Sequence, residues 1–264
     1  MNKIQQPEVD ELINWINDYV FSKAKSRGVV LGMSGGKDSL ICAKLCVEAL
    51  GSENVFGVIM PNGEQKDISD AIKTCELLGI DYEIVNIEEM FKGVMRATKS
   101  IAEKQGTKLG EVSVLNTPPR LRMTTLYSVA ASLGCLVVNT SNLSEKTIGY
   151  STKWGDNVGD FAPLVNFTKT EVCQIGDLLG LPDELVNKKP ADGLTGKTDE
   201  DKLGFKYEEL DYLIRDGKLC PNTDKILRMI KSSQHKRVID LPSFDSGRSV
   251  KIEDVIKKTN GRPI

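Results

Sequence analysis

Val29-Val30-Leu31-Gly32-Met33-Ser34-Gly35-Gly36-Lys37-Asp38-Ser39 places an apolar, β-branched run directly before a Ser-Gly-Gly turn, and a helical pattern from Leu40 to Leu50 follows at once. A glycine loop between strand and helix turns several backbone N–H groups toward one point, beside the positive end of the helix dipole, and that point favours phosphate. Asp38 stands there, and a carboxylate repels phosphate. A divalent cation between them removes the conflict, because Mg²⁺ is held by one or two carboxylates plus phosphate oxygens. The stretch therefore predicts a site for Mg²⁺ and ATP. Gly32, Met33, Ser34, Gly35, Gly36, Lys37, Asp38 and Ser39 form its loop, and Asp38 is a metal ligand. The common ATPase loop is excluded, since it needs Ser or Thr directly after Gly-Lys and Asp38 follows Lys37 here. Ser-Gly-Gly alone describes an ordinary turn; the strand before it and Asp-Ser after it make the difference.

Outward from this stretch, strands and helices alternate. Val9, Leu12, Ile13, Ile16, Tyr19 and Val20 recur at helical spacing after Pro7. Strands are expected at 29–33, 55–60, 82–87 and 136–139, and helices at about 39–50, 67–78, 88–104 and 120–133. Such alternation implies an α/β fold, a doubly wound parallel sheet with helices on both faces. Ligands of these sheets sit at the carboxyl ends of the strands. The glycine loop and the segments after Met60 and Asn139 all lie there. Beyond 165 the pattern becomes helical, with Thr168 as N-cap of a helix to Leu179 and Glu171 three residues on. Residues 187–204 are polar and rich in Gly, Lys and Asp, and read as a mobile loop, either an active-site lid or a plain surface loop.

The 264 residues are 40% hydrophobic and 27% charged, with a net charge of −2. That balance is globular and carries no basic excess for nucleic acid or an anionic membrane. No signal core and no spanning run is visible, so a cytoplasmic protein is expected. The six cysteines include no C-x-x-C pair. Reduced thiols are expected, without zinc or disulfides.

The loop resembles that of the N-type ATP pyrophosphatases, and further motifs narrow the resemblance. Asn116-Thr117-Pro118-Pro119-Arg120-Leu121-Arg122-Met123 resembles the Asn-x-x-x-Arg-x-Arg-Met motif of the NAD synthetases. Asn139-Thr140-Ser141-Asn142-Leu143-Ser144-Glu145, with Thr147 and Gly149 behind it, is similar to a second motif of that family. Thr152-Lys153-Trp154-Gly155-Asp156, followed by Asp160, is similar to its Thr-Lys-x-Gly-Asp…Asp segment. Thr168-Lys169, Lys189-Pro190, Thr198-Asp199-Glu200 and His235-Lys236 fall in the same order.

The resemblance implies an adenine nucleotide alpha hydrolase-like fold with a small helical C-terminal extension. It treats 1–264 as one domain, with the pyrophosphatase core at about 25–165 and a helical and lid extension at 166–264. It implies a homodimeric ligase that amidates deamido-NAD with ammonia, using ATP and Mg²⁺ and passing through an adenylate. It assigns Thr140 and Lys169 to ATP, and Asp38 and Glu145 to Mg²⁺. Arg120, Lys153, Asp160, His235 and Lys236 go to deamido-NAD. Lys153 also steadies the reacting carboxylate, and Asp160 takes a proton from ammonium, since only neutral ammonia attacks. Lys169 near a helix start is electrostatically misplaced unless an anion is close, which agrees with a phosphate role.

One departure stands out: Pro190-Ala191 lacks the hydroxyl that the family carries at the second position. No separate amidase domain precedes the loop, so free ammonia is the expected donor. Two other readings are open from the loop alone. A tRNA-modifying pyrophosphatase calls for a basic surface or paired cysteines, which are missing here. A silent nucleotide sensor does not call for Asp38, Glu145, Lys153 and Lys169 together.

Overall fold

The computed structural model describes residues 3–65, 68–186 and 198–237. Four strands form one parallel sheet: β1 (Val29–Gly32), β2 (Val55–Ile59), β3 (Asp81–Ile84) and β4 (Leu136–Val137), in the order β3-β2-β1-β4. Val30 is level with Phe56 on one side and Val137 on the other. Beyond β4, Val138 bridges to Phe161 in parallel.

The strands alternate sides as their period of two requires. Val29 and Leu31 point into one cluster with α1 (Gln6–Asn17), α2 (Lys37–Leu50), α3 (Ile68–Leu78) and α7 (Lys169–Leu178). Val30, Val58 and Val137 point into the other, against α5 (Glu111–Leu133). α4 (Glu88–Lys104) packs on α5. The doubly covered sheet expected from the strand–helix alternation is therefore present. A third cluster, from Ile148, Leu203, Phe205, Tyr207, Leu210 and Ile226, holds together the helical C-terminal region. Its helices are α6 (Leu143–Ile148), α9 (Asp199–Leu203), α10 (Tyr207–Asp216) and α11 (Thr223–Ser232), whereas α8 (Asp183–Val186) buries Val186 in the first cluster.

Three expectations need correction. The third strand ends at Ile84 and not at 87. Val85 and Ile87 still donate to the carbonyls of Ile59 and Pro61, both at 2.8 Å, so the pairing frays at the sheet edge rather than stopping. The helix expected from Arg120 begins at Glu111 and runs through Pro118 and Pro119. Proline removes the donors for the Val114 and Leu115 carbonyls, but these residues are exposed, and water can take over. The polar stretch expected to be loop from 187 to 204 contains α9, capped by Thr198. Its remainder, 187–197, including Lys188, Lys189 and Ala191, lies outside the described residues.

The N-terminal helix buries Val9 and Ile16, then continues as a π-helical turn, Asp18–Lys23, that buries Val20. Trp15 stacks on Tyr19, and both rings contact Phe161. Trp15 nevertheless remains 40% exposed. All six cysteines are free.

The start of α7 is as read from the sequence. Thr168 is fully buried, its side chain accepts from Glu171 N, and the Glu171 carboxylate accepts from Thr168 N at 2.7 Å. Glu171 in turn is bound by Arg215 at 2.7 Å, which holds its carboxyl below the usual range despite burial. Thr168→Ala is expected to lower stability by about 1–2 kcal/mol, the cost of a lost N-cap. Urea denaturation measures it.

Candidate active site

The glycine loop closes on itself. Ser39 Oγ donates to Gly36 O at 2.9 Å and lies 3.1 Å from Ser34 Oγ, which accepts from Gly36 N at 3.2 Å. Gly35 has φ 73°, a left-handed conformation open to glycine at little cost. Met33 N donates to Val58 O at 2.9 Å, tying the loop to the carboxyl end of β2. Lys37 reaches Cys173 Sγ on α7 at 3.5 Å.

Asp38 starts α2, Glu145 lies in α6 and Lys169 starts α7. The three meet although they are far apart in sequence. The Lys169 ammonium is hydrogen-bonded to Asp38 Oδ2 and lies 3.0 Å from Glu145 Oε1. Asn142 places Glu145 by accepting from its backbone N at 3.0 Å. Lys169 is 7% exposed, and the side chains of Asp38 and Glu145 are 18% and 17% exposed. Burial pushes the Glu145 carboxyl up to about 7; Lys169 pulls it down and Asp38 adds to the rise. Burial alone favours neutral Lys169, but Asp38 and Glu145 override it and hold its pKa well above the ordinary lysine value. The misplaced cation noted in the sequence is thus compensated by two acids. Asp38 Oδ1 is buried and has no hydrogen-bond partner among the described residues.

The cluster is backed by a residue that the sequence reading missed. Asp211 of α10 is fully buried and accepts from Ser144 Oγ, from Thr170 N at 2.8 Å and from Thr170 Oγ1 at 2.7 Å. Ser144 Oγ accepts in turn from Lys169 N at 2.9 Å. One carboxylate thereby fixes α6, α7 and α10 around Glu145 and Lys169. Burial raises its pKa, and these hydrogen bonds oppose the rise. The signal was available: Asp211 falls with Tyr207, Leu210 and Ile214 on the apolar face of α10.

The other expected residues form a separate set. Thr140 is half-buried just beyond β4. Its neighbour Asn139 donates to the Asp156 and Val158 carbonyls, both at 3.0 Å. A Cβ on Gly159 would stand 2.8 Å from Asn139 N, so only glycine fits. Gly159→Ala is expected to lower the thermal midpoint by several degrees through this clash. Arg120 Nε donates to Lys153 O at 3.2 Å, which brings those two together. The Lys153 ammonium lies 5.3 Å above the Trp154 ring.

Asp160 is placed beside β4: its Oδ2 accepts from Val137 N at 2.7 Å, and its carbonyl accepts from the Tyr19 hydroxyl at 3.2 Å. His235 is exposed with Nδ1 at 3.2 Å from Ser232 O. Lys236 donates to Gly149 O at 2.7 Å and Ser151 O at 2.6 Å, anchoring the segment that leads to Lys153.

A glycine loop between strand and helix at the carboxyl edge of a parallel sheet, beside a lysine paired with two acids, is the arrangement of a nucleotide-binding α/β protein. The NAD synthase family model matches residues 8–242, and the chain belongs to that family. An NH3-dependent NAD⁺ synthetase from Pyrococcus horikoshii is 39% identical over 90% of this chain and 96% of that protein. One from Thermococcus kodakarensis is 46% identical over 72% of each. Among solved structures, an NMN synthetase from Francisella tularensis superposes with a TM-score of 0.81 at 33% identity, covering 92% of this chain and all of that one. An NH3-dependent NAD synthetase from Campylobacter jejuni gives 0.73 at 29% identity, over 91% and 99%.

Proposed function

We propose that this chain is an ammonia-dependent NAD synthetase: it amidates the nicotinate carboxylate of deamido-NAD with ammonia, converting ATP to AMP and pyrophosphate. The observation that carries this reading is the convergence of Asp38, Glu145 and Lys169 beside the glycine loop. In the proposed chemistry the substrate carboxylate attacks the α-phosphorus of ATP and pyrophosphate leaves. Ammonia then displaces AMP from the acyl adenylate. Adenylation replaces oxide, a poor leaving group, with AMP.

The residues fit a magnesium ion. Two near-buried carboxylates and the unpartnered Asp38 Oδ1 suit a cation that takes few protein ligands and completes its shell with phosphate oxygens and water. Asp38 and Glu145 would hold it, and it would supply neutralisation of the departing pyrophosphate. Loop N–H groups from Ser34 to Ser39 bind phosphate oxygens, and Thr140 contacts the nucleotide. Lys169 exchanges its carboxylate partners for phosphate. Arg120, His235 and Lys236 bind the dinucleotide. Lys153 orients the reacting carboxylate, and Asp160 accepts the proton that ammonium must lose.

The protein incubated with ATP, Mg²⁺, ammonium and deamido-NAD is expected to release pyrophosphate and NAD in equal amounts. Turnover of the corresponding mononucleotide in place of deamido-NAD would overturn the dinucleotide assignment. Asp160→Asn is expected to spare adenylation and slow amide formation. Its defect should shrink as pH rises toward the pKa of ammonium, and an equal defect in both half-reactions would remove the base role.

The reading extends to a homodimer acting in the cytoplasm, with the core at about 25–165 and the helical extension after it. Val94 and Ile101 on α4 and Val112 and Leu115 on α5 are exposed, an apolar surface that a second copy would cover. Light scattering on the purified chain tests the dimer. Among the described residues no helix is long and apolar enough to cross a membrane.

A further inference from the structure

We propose that the Tyr207 hydroxyl is a ligand contact of the site, donating a hydrogen bond to a phosphate oxygen of bound ATP. The inference rests on the ATP reading above and adds a residue to it. Tyr207, the first residue of α10, is 5% exposed, and its Oη is buried with no hydrogen-bond partner among the described residues. An unpaired buried hydroxyl carries the desolvation cost of the group, and phenylalanine would fill the same space without it. The rest of the residue is firmly placed. Its backbone N donates to Glu200 Oε1 at 2.9 Å, and its ring lies 5.4 Å beneath the Lys169 ammonium. Tyr150 offers a contrast, because its hydroxyl donates to Asp199 Oδ1 at 3.1 Å.

The chemistry of the missing partner follows from the surroundings. Burial, with Glu145 adding to it, drives the Tyr207 phenol far above its ordinary pKa, so the O–H keeps its proton and acts as a donor. A neutral phenol can donate or accept, and the partner that uses its O–H proton is an acceptor. The Lys169 ammonium lies over the same ring, and in the proposed function it exchanges its two carboxylate partners for phosphate, which brings an anion to this place. A phosphate oxygen meets both requirements. The second orphaned atom of the cluster, Asp38 Oδ1, is an acceptor that calls for a cation. One unpaired donor and one unpaired acceptor beside the same lysine together match a metal-bound phosphate.

The test compares the full-length chain with Tyr207→Phe, which keeps the ring and its contact with Lys169. Isothermal titration uses the β,γ-imido analogue of ATP with Mg²⁺, and adenosine as the phosphate-free control. The variant is expected to melt at or above the temperature of the parent. It is expected to bind the analogue about 10-fold or more weakly, as for loss of a hydrogen bond to a charged group, and to bind adenosine equally well. Equal affinity of both proteins for the analogue overturns the inference, and so does a matching loss for adenosine, which would mark a structural disturbance. If the parent chain fails to bind the analogue, the ATP assignment falls with it. If only the comparison fails, that assignment stands and Tyr207 is a packing residue.

Discussion

Lys169→Met is expected to lower pyrophosphate release by about 10³-fold or more and to destabilise the ligand-free protein by about 3–5 kcal/mol. The two losses have one origin. Lys169 is nearly buried, and its ammonium is the counter-ion of both Asp38 and Glu145. Methionine fills a similar volume but leaves two enclosed carboxylates facing each other, and uncompensated buried charge is the costly outcome when one partner of such a pair is removed. In catalysis the same substitution removes the cation that meets the phosphates. The stability loss carries a pH signature. The Glu145 pKa is already raised in the parent, and without Lys169 it rises further, so the folded variant takes up a proton more readily than the unfolded one. Stability of the variant should therefore recover as pH falls from above 7 toward 4.5. Urea denaturation at pH 5.5 and 8 checks this. A variant as stable as the parent at pH 8 would show that the cluster is not a buried ion network.

The glycine loop was legible because strand, turn and helix start lie within a dozen residues, and each leaves a local signal. The same holds for Thr168 and Glu171, whose capping box is a three-residue pattern. Asp38 was legible from the loop itself, and Lys169 in part from its position at a helix start, but Glu145 only through a family motif, since nothing local distinguishes it from a solvated acid. That Lys169 bridges the two acids depends on how α7 packs against α2 and α6, which is tertiary information. The helix expected at about 120–133 begins at Glu111, before Pro118-Pro119. Proline weakens a helix locally, yet α5 tolerates it because the freed carbonyls are on exposed residues. Asp211 was passed over for a different reason: its partners, Ser144 and Thr170, lie on two other helices, and a buried acid has no sequence mark beyond its position on an apolar face.

Glu145→Gln separates the requirements of folding from those of the site, because the same carboxylate is unfavourable for one and needed for the other. Its pKa is raised from 4.5 to about 7, mainly by burial. Between those values the folded state binds more protons than the unfolded state, so stability falls as pH rises across this window. A rise of that size corresponds to about 3 kcal/mol. Glutamine cannot ionise, and its carbonyl can still accept from Lys169. The variant should therefore lack this decline and gain on the parent between pH 5 and pH 8. Its pyrophosphate release should nevertheless drop by about 10²–10³-fold, because the amide is a poor metal ligand and leaves the phosphates under-neutralised. Asp38→Asn should lose a similar amount of activity. The double variant should lose little beyond either single one if both side chains hold one ion, since residues serving a common partner are not additive. Urea denaturation across the pH range, and initial rates as Mg²⁺ is varied, provide the two readouts. Parent-like activity of either single variant at low Mg²⁺ would sink the shared-ion arrangement. A pH slope in Glu145→Gln equal to the parent's would place the titrating group elsewhere.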